Sequence, residues 1–246
     1  MGIILITCGG IIGCGKSSLT RLLSEQLGTK PFYEPVDDNP VLPLFYEGNK
    51  LVEEGKAETN PYAFLLQIFF LNRRFDSIKE AMKEDNNILD RSIYEDHIFM
   101  KMNVEQGHAT QTELDIYEAL LENMMEELPY AAHKKAPDLM IMIDVSYNTM
   151  IKRVQKRGRE FEQVEVDPSL EKYYKDLLAR YDAWKHEFKD APMLIIDGDK
   201  YDFMSNLSDR REVLHQIYDK LLELGSIDQN KYDELVQRLG ILDLEA

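Results

Sequence analysis

The sequence has few cysteines, few basic residues and no long hydrophobic run, and each shortage excludes a class of protein. The two cysteines, Cys8 and Cys14, fit neither a disulfide framework nor a set of metal ligands, which favours a reducing, cytoplasmic location. Lysine and arginine number 29 against 45 aspartate and glutamate residues, so the formal net charge is −16. Because sequence-independent binding to DNA or RNA needs an extended basic surface, we expect no nucleic-acid partner.

No apolar run approaches the ~20 residues of a membrane-spanning helix. The first residues, MGIILIT, lack a basic region and therefore do not predict a secretion signal. We expect no membrane partner. With 246 residues, of which 44% are hydrophobic, the chain is long enough for one sizeable α/β core, and one domain is the expectation.

Short apolar runs alternate with longer helical patterns, which is typical of a parallel sheet covered by helices on both faces. Strands are predicted over residues 3–7, 32–34, 87–90, 139–144 and 193–197. Helices are predicted over residues 16–27, 62–83, 92–106, 111–127, 147–157, 169–189 and 205–224. The polar segment 48–60 predicts a surface excursion, and residues 225–246, which begin with Gly-Ser, predict a tail with a short helix.

A glycine-rich segment, GIIGCGKS, follows the first predicted strand and precedes a helical pattern. It matches the phosphate-binding pattern G-x-x-x-x-G-K-[ST]. Gly10, Gly13 and Gly15 let backbone N–H groups approach phosphate oxygens. Lys16 would bridge the β- and γ-phosphates, and the Ser17 hydroxyl would hold Mg²⁺. The segment predicts binding of a nucleoside triphosphate; a glycine-rich turn that only caps a helix is the minor alternative.

Two further patterns separate kinases from GTPases. A GTPase needs D-x-x-G to sense the γ-phosphate, and the chain contains none; its NKYD, residues 230–233, has no strand before it. A kinase of small molecules needs a carboxylate for the acceptor's proton, arginines for the transferring group and a site closed to water. The chain offers candidates for each of these parts.

Charged residues follow two predicted strands, at the carboxyl edge of the sheet where ligands bind in such folds. Glu34 closes the second strand before Pro35, and we predict that it is the general base; a solvated strand-end acid is the alternative. Asp90 and Arg91 follow the third strand, as a Mg²⁺ ligand and a group that binds phosphoryl oxygens. A simple helix N-cap at Ser92 or Asp90 is the alternative there.

One predicted helix carries isolated polar residues. Gln67 is the lone polar residue of AFLLQIFFL, and its amide matches the edge of a nucleobase. Arg74 lies two turns further on the same face, and Asp96 could pair with it. A Gln67 bonded to backbone and an Arg74–Asp96 pair with only a structural role are equally consistent with the sequence.

The segment KRVQKRGREFE, residues 152–162, concentrates positive charge in an acidic chain. Its first eight positions hold five cationic side chains. It predicts an arginine-rich lid, about residues 157–163, in which Arg157 and Arg159 meet the charge of the transferring phosphoryl group. A solvated helix face, whose basic residues complement the helix dipole, is the alternative and stays open for the two lysines.

Six segments, in order, resemble the bacterial deoxyadenosine/deoxyguanosine kinases of the deoxynucleoside kinase family: GIIGCGKSS, FYEPVDDNP, LFYE, YAFLLQ, LDRSIYED and KRGREFE. The resemblance runs from about residue 3 to about residue 224. It implies a P-loop kinase domain over residues 1–224, with an α/β fold of five parallel strands flanked by helices, and an appended tail over 225–246. It also implies ATP-dependent phosphorylation of the 5′-hydroxyl of a deoxynucleoside for nucleotide salvage, with Mg²⁺ as cofactor.

The resemblance assigns roles to individual residues on the acceptor side. Gln67 corresponds to the residue that holds the base edge, with Arg74 and Asp96 as the charged pair beside it. That pair is typical of members that take purine deoxynucleosides or deoxycytidine, so deoxyadenosine is favoured, with deoxyguanosine and deoxycytidine as alternatives. Tyr46 and Glu162 correspond to the residues that contact the 3′-hydroxyl. The implied substrate-binding set is Glu34, Tyr46, Gln67, Arg74, Arg91, Asp96, Phe99 and Glu162.

On the donor side, the resemblance implies lid arginines, a loop beside the ATP adenine and a dimer. The implied ATP-binding set is Gly10, Gly13, Gly15, Lys16, Ser17, Ser18, Arg153, Arg157, Asp202 and Phe203; the catalytic set is Glu34, Arg91, Lys16, Arg157 and Arg159; the metal ligands are Ser17 and Asp90. A homodimer would form through helices 92–106 and 111–127, with a heterodimer with a paralogue as the alternative. Two departures are a segment 48–60 longer than usual and Cys14 in place of alanine, which adds a potentially reactive thiol.

Two rival functions remain open at this point. A nucleoside monophosphate kinase of the thymidylate type shares the phosphate loop and a D-R motif, but needs extra cationic groups for the acceptor's own phosphate. A non-catalytic subunit that binds ATP as a regulator needs no base at all. The acids and arginines at positions 34, 90, 91 and 159 argue against the non-catalytic subunit, whereas an assay of deoxyadenosine against dAMP as acceptor would separate the two kinase classes.

Overall fold

Five parallel strands form the centre of the protein, in a computed structural model that describes residues 5–34, 38–81, 83, 86–131 and 136–241. The strands are β1 (Leu5–Gly9), β2 (Lys30–Phe32), β3 (Asn87–Asp90), β4 (Leu139–Asp144) and β5 (Met193–Asp197). Their order in the sheet is β2-β3-β1-β4-β5. The expected α/β fold with a five-stranded parallel sheet is confirmed, and the bounds of β3, β4 and β5 match the predicted ones.

The first two strands differ from their predictions. β1 continues to Gly9, two residues beyond the predicted end, and residues 3 and 4 lie outside the described residues. The strand predicted over 32–34 was wrong, because β2 pairs with β3 from Lys30↔Asn87 to Phe32↔Leu89 and ends there. Glu34 therefore lies two residues beyond the strand, and its neighbour Pro35, which was expected to stop the pairing, lies outside the described residues.

Helices cover the sheet on both faces, as the apolar character of its central strands requires. They are α1 (Lys16–Leu27), α2 (Leu42–Glu53), α3 (Ala63–Ala81), α4 (Ile93–Glu105), α5 (Gln111–Ala131), α6 (Tyr147–Arg157), α7 (Leu170–Glu187), α8 (Leu207–Glu223) and α9 (Gln229–Ile241). Every predicted helix is present, and α1 and α6 have the predicted bounds. None of the helices in the described part of the chain is long and apolar enough to cross a membrane.

The segment predicted as a surface excursion is exposed or half-buried over residues 50–59, as expected, but its first residues belong to a helix that was not predicted. α2 covers its first half, and Gly48 and Asn49 are buried. A Cβ atom at Gly48 would lie 2.0 Å from Asn60 Oδ1, so only glycine permits this approach. Asn60 Nδ2 donates to the Phe45 carbonyl at 2.8 Å and to Asn49 Oδ1 at 2.7 Å. Of the polar residues that suggested exposure, only Asn49 and Asn60 are buried, and they satisfy each other inside the protein.

The helix predicted in the tail is present as α9. It packs against α8 through Leu235 and Leu239, which are buried. The Tyr232 hydroxyl donates to Asp219 Oδ1 at 2.6 Å, between the same two helices. The NKYD segment lies on α9, so no strand precedes it, which agrees with its dismissal as a guanine-reading motif.

Candidate active site

The phosphate loop links β1 to α1 in a conformation that requires glycine. Gly13 has φ 73° and Gly15 has φ 111°. A Cβ atom at Gly13 would lie 2.9 Å from Val154 Cγ2, on α6. Lys16 Nζ donates to the carbonyl of Gly10 at 2.8 Å, and it is only 7% exposed. The loop therefore forms a closed turn with its lysine directed back over it.

Two cavities meet at the phosphate loop. The first, of about 390 Å³, is lined by nine residues from the predicted sites: Glu34, Tyr46, Gln67, Asp90, Arg91, Asp96, Phe99, Arg159 and Glu162. The second, of about 720 Å³, is lined by five more: Gly15, Ser18, Arg153, Asp202 and Phe203. Gly13, Lys16, Ser17 and Arg157 line both cavities. Segments far apart in the sequence thus converge on one place.

Glu34 lies between two guanidinium groups. Arg74 Nη2 donates to Glu34 Oε1 at 2.8 Å, and Arg91 Nε lies 3.0 Å from the same oxygen. Burial alone would raise the pKa of Glu34, but Arg91 and Arg74 lower it to about 2. Glu34 is therefore a fixed, ionised carboxylate in the wall of the first cavity and not the solvated strand-end acid considered as the alternative.

Arg74 lies behind the wall of the first cavity and is not among the residues that line it. Its Nε donates to Asp96 Oδ2 at 2.6 Å, and its other contact is Glu34. Burial raises the pKa of Asp96 to about 6, against the opposing effect of Arg74. The expected Arg74–Asp96 pair is present, and it supports the two carboxylates that face the cavity.

Gln67 faces the first cavity from α3. Its residue is 3% exposed, and the described residues offer its amide no hydrogen bond. The amide atoms are not among the buried, unpartnered polar atoms of the described residues, so they are open to the cavity. The alternative that Gln67 bonds to backbone is therefore not what the structure has, and the amide is free to pair with a ligand.

Asp90 and Ser17 bring two oxygen-bearing side chains together beside the phosphate loop. Ser17 Oγ donates to Asp90 Oδ2 at 2.5 Å. Asp90 Oδ1 is buried and has no hydrogen-bond partner in the described part of the chain. Burial raises the pKa of Asp90, opposed by Lys16. An orphaned carboxylate oxygen beside a hydroxyl is a fitting donor set for a hard cation such as Mg²⁺.

The predicted lid is a short turn after α6. Glu162 is 1% exposed, and it pairs with Arg157 at 2.5 Å and with Arg159 at 3.6 Å. The phenol of Tyr174 donates to the Glu162 carbonyl at 2.9 Å. Arg153, expected to bind ATP, lies on α6 and donates to the Cys14 carbonyl at 2.5 Å. It also donates to a carbonyl just after β5.

Two residues of the site were not foreseen. Glu95 is fully buried, accepts from the backbone N–H of Gly10 and Ser92 at 2.9 Å each, and lies 3.6 Å from Arg91. The sequence does contain a pattern that indicates a role for Glu95, because Ser92-x-x-Glu95 is a capping box. The Tyr181 hydroxyl contacts both Arg91 and Glu95, and no local pattern marks it. The N-cap at Ser92, given as an alternative for this segment, exists alongside the acid and the arginine.

The thiol beside the phosphate loop is not positioned for reaction. Cys14 is fully buried. Burial raises its pKa, more than Lys16 lowers it, so the thiolate is disfavoured. The expectation of a reactive thiol at Cys14 was wrong, because the side chain points into the core instead of into either cavity.

Comparisons with known proteins agree with this geometry. The profile of the deoxynucleoside kinase family matches residues 6–223. A deoxyguanosine kinase from Lactobacillus johnsonii is 55% identical over 233 residues, which covers 95% of this chain and 99% of that protein. A deoxyadenosine kinase from Lactobacillus acidophilus is 49% identical, covering 91% and 99%.

Among solved structures, deoxyadenosine kinase from M. mycoides with bound dCTP is similar, with a TM-score of 0.68 and 28% identity. The match covers 88% of this chain and 100% of that one. The family resemblance seen in the motifs is confirmed over nearly the whole length of the chain. The chain therefore belongs to the deoxynucleoside kinase family, which confirms the expectation of a phosphotransferase that binds ATP.

Proposed function

We propose that the protein transfers the γ-phosphoryl group of ATP to the 5′-hydroxyl of a purine deoxynucleoside, deoxyguanosine or deoxyadenosine, for nucleotide salvage. The observation that supports this best is the meeting of the two cavities at Lys16, Ser17 and Arg157. Both volumes lie in the ~300–1,000 Å³ range of small-molecule sites. We therefore name the first the acceptor cavity and the second the donor cavity. Occupants of the two would face each other across the phosphate loop, as in-line transfer requires.

Glu34 accepts the hydrogen bond of the attacking hydroxyl. Its pKa of about 2 keeps it ionised at every physiological pH. Phosphoryl transfer passes through a loose transition state, so orienting the nucleophile matters more than early removal of its proton. Lys16, at the junction of the two cavities, and Arg91, in the wall of the acceptor cavity, are both buried and stabilise the charge of the group in transfer.

Ser17 and Asp90 would hold the Mg²⁺ that accompanies ATP. The support is the buried Asp90 Oδ1, which has no partner among the described residues. A magnesium ion there would neutralise charge on the phosphate oxygens. Binding of the ion would also favour the ionised form of Asp90, whose pKa burial raises.

The base would meet Gln67 and Asp96 on the wall of the acceptor cavity. An amide both donates and accepts, while the carboxylate accepts. Guanine and adenine each carry an amino group and a ring acceptor, so both purines suit this pair. The sequence favoured deoxyadenosine; since similar relatives include deoxyguanosine kinases as well as a deoxyadenosine kinase, we propose both as acceptors.

The acceptor cavity does not suit a nucleoside monophosphate. Its described arginines are paired with carboxylates, Arg91 with Glu34 and both Arg157 and Arg159 with Glu162. Its lysine, Lys16, donates to carbonyls of the phosphate loop. An acceptor that carries its own phosphate would have to displace these carboxylates. The pairing supports a neutral nucleoside acceptor over the monophosphate kinase alternative.

A coupled assay of ADP release tests the proposal. We expect turnover with deoxyguanosine and deoxyadenosine, weaker turnover with deoxycytidine and thymidine, and none above background with dAMP or dGMP. Preference for either monophosphate would support the monophosphate kinase alternative. Absence of ADP release with all four deoxynucleosides would overturn the proposal and support a regulatory subunit.

We also propose a cytoplasmic homodimer formed through α4 and α5. Ile116, on α5, is 53% exposed, and His97 and Glu118 join the two helices at 2.6 Å. The two free cysteines are buried, which suits a reducing compartment. Light scattering should give twice the chain mass of 28.7 kDa. A single-chain mass would contradict the homodimer and leave a heterodimer with a paralogue to be tested by co-expression.

A further inference from the structure

The Arg91 side chain has two close polar contacts, with Glu34 and Tyr181, while Glu95 lies 3.6 Å away. The backbone of Arg91 has φ 80°, a conformation that residues other than glycine rarely adopt. Its Nε lies 3.0 Å from Glu34 Oε1, and its Nη1 donates to the Tyr181 hydroxyl at 2.6 Å. Because Arg91 also lines the acceptor cavity, these two contacts set the direction in which its remaining N–H donors point.

The Tyr181 hydroxyl is itself fixed by Glu95. A hydroxyl has one proton and two lone pairs, so it can accept from Arg91 while it donates to Glu95 Oε1, 3.0 Å away. The same Glu95 oxygen accepts from the N–H of Gly10, the first residue of the phosphate loop. One fully buried carboxylate therefore connects the phosphate loop to the hydroxyl that holds Arg91.

We propose that Tyr181 is a positioning residue for phosphoryl transfer, which fixes the Arg91 guanidinium relative to the phosphate loop through Glu95. This inference rests on the role in transfer proposed above for Arg91. Without the Tyr181 hydroxyl, Arg91 keeps Glu34 and the more distant Glu95 and therefore its charge, but it loses the hydrogen bond that fixes its orientation. The orientation of a charged group matters most when charge moves in the transition state. Loss of this hydrogen bond therefore lowers kcat and leaves KM nearly unchanged.

The chain offers a matched control at Tyr218. Like Tyr181 it is a buried helical tyrosine, but its hydroxyl has no hydrogen-bond partner in the described part of the chain. We expect Tyr181→Phe to lower kcat about 10-fold, with KM for ATP and for the deoxynucleoside within about twofold of wild type. Tyr218→Phe should keep kcat. Wild-type kcat in Tyr181→Phe, or an equal loss in both variants, would overturn the inference.

A double-mutant cycle with Arg91→Lys separates this inference from the proposed function. If Tyr181 acts through Arg91, then Tyr181→Phe has no further effect on kcat once lysine replaces the arginine. Two losses that multiply in full would show that Tyr181 acts independently and would overturn the inference. Wild-type kcat in Arg91→Lys alone would instead refute the role proposed for Arg91.

Discussion

Glu34 provides the sharpest test of the site, because one substitution probes both the chemistry and the electrostatics. Glu34→Gln keeps the shape of the side chain and removes the charge between Arg74 and Arg91. The pKa of Glu34 is lowered from 4.5 to about 2 in the folded protein, which corresponds to ~3 kcal/mol of stability at pH 7. In the variant, Arg74 keeps Asp96 and Arg91 keeps Glu95, so neither arginine is left without a carboxylate. We therefore expect the free energy of unfolding to fall by ~3 kcal/mol and not by more.

The pH dependence of this loss has a defined sign. A carboxyl whose pKa is lowered on folding stabilises the protein above its unfolded pKa and loses that effect as pH falls through the folded value. The stability difference between wild type and Glu34→Gln should therefore be complete above pH 4.5 and shrink as the pH approaches about 2. Urea unfolding at a series of pH values measures it. A difference that stays constant down to pH 3 would refute the electrostatic reasoning.

The same variant tests the catalytic role. Loss of a base that orients the nucleophile lowers kcat by ~100-fold or more. Glu34 lines the acceptor cavity and not the donor cavity, so KM for ATP should stay within about twofold. Glu171→Gln, at an exposed acid on α7, is the control and should match wild type in both assays. Unchanged turnover in folded Glu34→Gln would refute the assignment of the base.

Three further predictions concern the phosphate loop and its surroundings. Asp90→Asn should raise the Mg²⁺ concentration for half-maximal activity at least ~10-fold in a titration at fixed ATP, and an unchanged midpoint would contradict the metal site. Gly13→Ala should lower Tm and raise KM for ATP more than Gly28→Ala, because both glycines have positive φ but only the first would clash. Cys8 and Cys14 should resist an aromatic disulfide reagent at pH 8 until the protein is unfolded, since burial raises the pKa of Cys8 to about 12 and also that of Cys14.

Local patterns were enough to predict most of the elements. Strands β3, β4 and β5 are short apolar runs, of which β3 and β4 are largely buried, and the phosphate loop needs glycine at fixed positions. Prediction from the sequence failed where contacts with residues outside an element determine whether it forms and where it ends. β2 was misplaced because its bounds follow from pairing with β3. α2 was not predicted, and its one buried amide, Asn49, is satisfied by Asn60 from outside the helix.

The candidate site divides in the same way. The sequence alone showed which residue types lie at each strand end, because motifs are local. Those residue types were enough to predict that the protein binds a nucleotide. The tertiary structure decided how these charges pair: Glu34 binds Arg74 and Arg91, Arg74 lies behind the cavity wall, and Tyr181 holds Arg91 from another helix. Burial sets the strength and direction of each ion pair, and burial depends on long-range packing that no local pattern encodes.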